Sequence, residues 1–166
     1  PKRVRAAKQK WEQQHDDSLV DKLADNLSGD MSRLALKMLK GKRDVDDEVD
    51  EGAGRRSAHG LHDGDLDYID VLCENNPKQN KFIAKYFEES YDMSLRRAIT
   101  QEYSGPVKNA LLALLTGPAQ WYAAQLKAAL AGEETNDKAV CRIVGAHDKD
   151  EIAQIAKEYD KKYGVT

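Results

Sequence analysis

An internal duplication constrains this chain more than any other feature of its sequence. The segment 16–42 recurs as 92–118, at an offset of 76 residues and without a gap. Identical residues at this offset are Asp16/Asp92, Ser18/Ser94, Leu19/Leu95, Gly29/Gly105, Leu36/Leu112, Leu39/Leu115 and Gly41/Gly117. Pro1-Lys2 also pairs with Pro77-Lys78, so the match extends over roughly forty residues, which indicates a repeated structural unit.

Helical periodicity runs through both copies of the duplicated segment. Apolar residues recur at spacings of three and four on either side of a Ser-Gly corner, found at 28–29 and again at 104–105. We predict that Asp16 or Asp17 caps the helix before the first corner and that Asp92 starts its second copy. Ser28 and Ser104 are predicted to cap the helices that follow. No segment shows the two-residue period of a strand, so we predict an all-α fold.

Further helices are predicted outside the duplicated segment. They cover 1–15, 57–63 and 66–74, and others begin at Pro118, after the polar loop 132–137 and at Asp148. Asn76-Pro77 opens a further helix, in which Gln79 is predicted to reach back to the Asn76 cap. We divide the chain into 1–42, a linker 43–56, a complete repeat 57–116 and a partial repeat 117–166. The chain begins at Pro1 and in mid-repeat, so we expect a fragment of a longer protein.

Composition excludes several classes of protein. The formal net charge is −3, which gives no whole-chain case for nucleic-acid binding. No apolar run approaches the roughly 20 residues that span a bilayer. Cys73 and Cys141 occupy apolar helical positions; they either form a disulfide or, as we favour, are two free core thiols in a reducing compartment. We find no nucleophile–base pair or zinc motif and expect no enzyme.

The last unit carries motifs that resemble the annexin repeat. They are Pro118-Ala119-Gln120-Trp121-Tyr122-Ala123, Leu126 to Leu130, Gly132 to Thr135, Arg142-Ile143, Glu151-Ile152 and Tyr159-x3-Tyr163-Gly164. The Ser-Gly corners resemble the same family. The resemblance implies annexin-type repeats of about five short helices in a right-handed superhelical arrangement. It would make the chain the last three helices of repeat two, all of repeat three and the first three helices of repeat four, from a divergent, alpha-giardin-like member.

The resemblance also implies a function. Annexins bind acidic phospholipid through calcium, so we expect calcium as cofactor and a cytoplasmic protein at membrane surfaces or the cytoskeleton. Calcium takes six to eight oxygen ligands, so loop carbonyls and one carboxylate leave positions for lipid phosphate. Glu102, two residues before the second corner, matches that carboxylate, although a solvated acid at a helix end remains the alternative. Asn26 holds the same place in the first copy and is neutral.

The loops that would complete such sites have changed. In the complete repeat the loop is shorter by seven residues than in the last one, and Gly64 and Asp65 are its remaining candidates. Together with its neighbours Asp63 and Asp67, Asp65 either forms a different cation site or belongs to a capped turn, which we favour. The candidates in the last repeat are Gly132, Glu134 and Thr135, where Glu134 replaces a glycine and the completing acid would lie beyond Thr166. The resemblance places Lys42 and Glu133 at the membrane.

A second hypothesis is a helical scaffold that has lost most calcium sites and binds cytoskeletal or other protein partners. Weaker candidates are a metal site at His59 and His62, a phosphate loop at 52–54 and a basic membrane-binding face on the first helix. For these three we favour surface histidines, a connector between repeats and a solvated basic face.

Overall fold

The computed structural model describes residues 2–40, 48–132 and 134–164, and these residues form helices without a strand. The all-α prediction is therefore confirmed. The helices are α1 (Lys2–His15), α2 (Leu19–Asn26), α3 (Gly29–Lys40), α4 (Glu51–Asp63), α5 (Tyr68–Glu74), α6 (Pro77–Tyr91), α7 (Leu95–Glu102), α8 (Gly105–Thr116), α9 (Pro118–Ala129), α10 (Asp137–Ala146) and α11 (Lys149–Tyr163). The chain divides into two compact units, Pro1–Leu115 and Thr116–Thr166.

The duplicated segments have the same backbone at their helix starts. Ser18 and Ser94 are the N-caps of α2 and α7, and each side chain accepts a hydrogen bond from a backbone N–H three residues on. The prediction that an aspartate starts these helices is wrong. Asp16 and Asp92 have φ of 48° and 50°, and their N–H groups each bond to a carbonyl four residues earlier, so they end the preceding helices. Aspartate tolerates this left-handed conformation better than most residues.

The Ser-Gly corners are also alike in the two copies. Gly29 and Gly105 have φ of 55° and 56° and begin α3 and α8. The carbonyls of Ser28 and Ser104 accept N–H groups from the first turn of each helix. Glycine adopts this backbone conformation with less strain than any other residue, which explains why both copies have glycine at this position.

The predicted linker is wrong at its C-terminal end. Its first residues lie outside the description, but helix α4 begins at Glu51, six residues before the predicted start. The Asp50 side chain caps it by accepting the N–H of Ala53 at 2.8 Å. The Gln79 amide accepts the Asp50 N–H at 2.9 Å and donates to the Asp50 carbonyl at 2.8 Å, instead of reaching back to Asn76. Gly52 and Gly54 thus lie inside a helix, which excludes a phosphate loop.

The largest core lies in the first unit. Helix α4 packs against α6, and α3 packs against α5. Its fully buried large apolar side chains are Ile69, Leu72, Ile83, Phe87, Leu95, Ile99 and Leu111. Within the second unit, α9 packs against α10 and α11, and Ala123, Ile143 and Ile155 are buried.

Neither Cys73 nor Cys141 is part of a disulfide. Cys73 is buried, as predicted, but Cys141 is exposed because it lies on the outer side of α10, away from the buried Ile143. None of the described helices has the length and apolarity needed to cross a bilayer.

Candidate functional site

Glu102 is the last residue of α7, and its side chain is exposed. Its carboxylate makes no hydrogen bond or ion pair with any other residue in the described part of the chain. The next residue, Tyr103, is the extended C-cap and is buried. Glu102 is therefore an exposed acid at the second Ser-Gly corner, without a cationic partner in the part of the chain that the structure describes.

The corner lies beside the start of α5. Tyr68, the first residue of α5, and Tyr103 are both buried, and their rings meet edge to face with centroids 6.1 Å apart. Burial raises the pKa of both phenols, and the negative charge of Glu102 raises them further. Asp67, the residue before α5, also raises the pKa of Tyr103. The structure thus brings Glu102 close to the end of the 64–67 loop.

The loop before α5 is a capped turn. Gly64 ends α4 in the left-handed conformation with φ of 80°, and Asp65 is exposed. The Leu66 N–H bonds back to the Gly60 carbonyl at 2.9 Å. Asp67 caps α5 by accepting the N–H groups of Ile69 at 2.8 Å and Asp70 at 3.3 Å. The geometry therefore agrees with the capped turn that we favoured.

The acids of this loop do not converge on one point. Asp63 contacts His62 at 2.9 Å, and Asp67 is directed to its own helix and to Tyr103. Among the described residues, no group of three acidic, histidine or cysteine side chains is placed to hold a metal ion. Gly64, Asp65 and Glu102 are exposed, and their carbonyl and carboxylate oxygens are hard donors of the kind that calcium takes, so the donor chemistry fits this ion.

An ion-pair cluster joins α3 to α5, and our sequence interpretation missed it. Lys37 contacts Asp70 at 2.8 Å and Glu74 at 2.7 Å, while Arg33 contacts Asp67 and Asp70. Lys37 and Asp70 each stabilise the charged form of the other. The hydrogen bond from the Lys37 ammonium is the main cause that lowers the pKa of Asp70, and the same bond is the main cause that raises the pKa of Lys37. The spacing of these residues could have indicated the cluster. Arg33 and Lys37 are four apart on α3, and the three acids are three or four apart along α5, so each set shares one helix face.

We expect Lys37→Met to flatten the acid side of the pH–stability profile. The lowered pKa of Asp70 means that its ion pair stabilises the fold above the unfolded pKa of about 4 and is lost as the pH falls through the lower folded value. The side chains are partly exposed, so the variant should lose about 0.5–1 kcal/mol at pH 7, and progressively less as the pH falls below about 4. Urea unfolding from pH 2 to 7 measures this. Lys40→Met, at an exposed position of the same helix, is the control, and equal profiles for both variants would contradict the assignment.

The second candidate loop precedes α10. Gly132 has φ of 105°, and Glu134 and Thr135 are exposed. The Thr135 hydroxyl donates to the Asp137 carboxylate at 2.6 Å, and the Asn136 N–H bonds to the Ala129 carbonyl at 2.8 Å. The positive φ at Gly132 is the kind of backbone conformation that a carbonyl-lined loop requires. Glu133 and Lys42, the predicted membrane-facing residues, lie outside the described residues.

The first copy of the duplicated segment lacks the carboxylate. Asn26 is exposed, and its amide donates to the Lys22 carbonyl of its own helix at 2.7 Å. At the next position Leu27 replaces Tyr103 as C-cap. This corner keeps the backbone of the second copy without its acid.

The two neighbouring histidines contact aromatic residues. His59 bonds to the hydroxyls of Tyr91 and Tyr86, the latter at 3.4 Å. His62 stacks on Tyr91 with ring centroids 3.7 Å apart and contacts Asp63. Both histidines are exposed, in agreement with our preference for surface residues over metal ligands.

Comparison with known proteins decides the family. The annexin family model matches residues 55–114 and 122–166, which together are more than half of the chain. The chain belongs to the annexin family. This annexin is 28% identical to annexin A6 of Gallus gallus over an alignment of 138 residues that covers 81% of the chain and 21% of that protein.

Solved structures agree on the fold. An annexin III structure superposes with a TM-score of 0.87 at 23% identity, covering 99% of this chain and 55% of that one. The calcium-bound structure of alpha-14 giardin superposes at 0.77 and 19% identity, over 98% of this chain and 58% of the giardin. This annexin therefore spans little more than half the length of these structures. Annexins in general bind phospholipid in a calcium-dependent manner and are not enzymes.

Proposed function

We propose that this annexin is a peripheral protein that binds acidic phospholipid membranes through calcium. The observation that carries the proposal is the exposed Glu102 carboxylate, which has no cationic partner among the described residues. It precedes Tyr103, whose hydroxyl bonds to Asp67 at the end of the 64–67 loop. The solved alpha-14 giardin, which has the same fold, is a calcium-bound structure. In the last repeat, Gly132, Glu134 and Thr135 are the second proposed calcium-binding group.

The proposed chemistry is a bridge between protein and lipid. When bound, calcium would link protein oxygens to the phosphate of an acidic headgroup. The carboxylates of Glu102 and Asp65 would contribute anionic oxygens, and the Gly64 carbonyl would contribute a neutral oxygen. Asp67 would contribute nothing, because its oxygens already accept protein donors.

Replacing the acid by its neutral isostere tests this assignment. We expect Glu102→Gln to raise the calcium concentration for half-maximal binding to phosphatidylserine vesicles by about tenfold, which corresponds to about 1.4 kcal/mol. The matched control is Glu88→Gln, which removes an exposed acid from α6. Vesicle co-sedimentation over a calcium titration gives both midpoints. Equal midpoints for the wild type and Glu102→Gln would show that this carboxylate is not a ligand.

A second candidate is a helical scaffold that binds cytoskeletal or other protein partners. The specific observation in its favour is that Asp67 is occupied by Arg33 and Tyr103, while the first corner has the neutral Asn26. The same titration separates the two functions, because a scaffold without calcium sites would stay in the supernatant at every calcium concentration.

A further inference from the structure

The Asp67 carboxylate is the meeting point of three parts of the first unit. Its Oδ1 accepts the N–H of Ile69 at 2.8 Å and that of Asp70 at 3.3 Å, at the start of α5. The same oxygen contacts the guanidinium of Arg33 from α3. Its Oδ2 accepts the Tyr103 hydroxyl at 3.3 Å. The loop end, α3 and the second Ser-Gly corner are therefore fastened to a single side chain.

Tyr103 is well suited to hold the corner in place. It directly follows Glu102, so fixing its side chain limits where the Glu102 backbone can move. Its side chain is 8% exposed and packs edge to face on Tyr68. Its N–H also bonds to the Ile99 carbonyl at 2.9 Å, which fixes the backbone at the end of α7. The hydroxyl bond from Tyr103 to Asp67 is partly buried, so water replaces it less readily than at an exposed site, and breaking it costs stability.

Arg33 supplies the positive charge at this point. Its guanidinium contacts both Asp67, at the end of the loop, and Asp70, in the first turn of α5, so one cation faces both carboxylates. Arginine suits this role because its planar group carries several donors in a fixed geometry. A protein cation therefore holds Asp67 without a metal ion.

We propose that Tyr103 and Arg33 are positioning residues that hold the 64–67 loop and the Glu102 corner together before any cation binds. The arrangement makes the order of the loop independent of calcium. Where calcium binds as proposed above, Glu102 is already in place, so less conformational freedom is lost on binding. The first consequence, a loop that is ordered without calcium, does not depend on the proposed function. The second consequence, a smaller loss of conformational freedom when calcium binds, does. The first copy offers a contrast, because Leu27 stands in place of Tyr103 and has no hydroxyl.

Hydrogen–deuterium exchange with a chelator present tests the first consequence. We expect the amides of residues 67–70 to be protected in the wild type, and to exchange about three- to tenfold faster in Tyr103→Phe and Arg33→Gln, since each loses one contact to Asp67. Tyr86→Phe and Arg55→Gln are the controls: the first removes a hydroxyl that contacts His59, and the second a guanidinium that pairs with Glu51. Tyr103→Phe keeps the buried ring, and an unchanged circular dichroism spectrum verifies its fold.

The same variants in the vesicle assay test the second consequence. Tyr103→Phe should raise the calcium midpoint about threefold while Tyr86→Phe leaves it unchanged. Protection of residues 67–70 that appears only after calcium is added, or equal exchange in the wild type and both variants, would overturn the proposal. If neither the wild type nor any variant binds vesicles, but the amides of residues 67–70 still exchange faster in Tyr103→Phe and Arg33→Gln, the positioning role stands and the proposed membrane function fails.

Discussion

Phe87→Ala is expected to lower the free energy of unfolding of the first unit by about 3–5 kcal/mol. The Phe87 side chain is 1% exposed on the inner face of α6, and its ring lies 5.1 Å from that of Tyr91. Alanine would remove most of the apolar area that this position buries and leave a cavity between α4 and α6. Urea unfolding followed by circular dichroism measures the loss.

A graded variant separates the cavity from a general disturbance. Phe87→Leu keeps much of the volume and should cost about 1–1.5 kcal/mol. A loss of less than 1 kcal/mol for Phe87→Ala would contradict the placement of this ring in the core. The chain forms two compact units, so we expect the urea-unfolding midpoint of Thr116–Thr166 to change less than that of the first unit.

Gly54→Ala is expected to destabilise the same unit by about 2 kcal/mol, although alanine favours a helix. A Cβ at this position would lie 2.4 Å from Cδ1 and 2.7 Å from Cε1 of Phe82, and 2.9 Å from the Gln79 amide nitrogen. An aromatic ring cannot move away like the end of a flexible chain, so α4 and α6 must separate. Gln79 would then lose its hydrogen bonds to Asp50, which anchor the start of α4. The change in the urea midpoint measures this effect.

A second glycine in the same helix is the control. At Gly52 a Cβ would approach the capping oxygen Oδ1 of Asp50 at 3.3 Å and Nη1 of Arg56 at 3.4 Å, contacts that a shift of a few tenths of an ångström relieves. Gly52→Ala should therefore leave stability unchanged or raise it by up to about 1 kcal/mol, because alanine favours the helix. Equal effects at the two positions would show that α4 and α6 do not approach each other as closely as described.

Local signals explain why much of the fold could be predicted. The three- and four-residue periodicity gave the helices, and the capping pair Asp148 and Glu151 forms the reciprocal hydrogen bonds that its spacing predicts. The sequence does not single out the first residue of a helix where several capping residues are adjacent. In 92–94 both Asp92 and Ser94 suit an N-cap, and the backbone of Asp92, with its positive φ, assigns the role to Ser94.

Other features depended on contacts between distant residues. The glycines at 52 and 54 indicated a connector, yet the cap at Asp50 and the amide of Gln79 make the segment helical. Sequence alone could not reveal this contact, which spans 29 residues. In the same way, the position of Glu102 followed from the motif, whereas the partner of Asp67 on α3 depended on the packing of α3 against α5.

Co-sedimentation of the intact chain with vesicles tests the proposed function most directly. Vesicles of phosphatidylserine and phosphatidylcholine, and vesicles of phosphatidylcholine alone, are each mixed with the protein in calcium and in chelator. The account predicts that the protein pellets only with phosphatidylserine and calcium, and returns to the supernatant when chelator is added. Equal pelleting in calcium and in chelator, or no pelleting with phosphatidylserine at millimolar calcium, would contradict it.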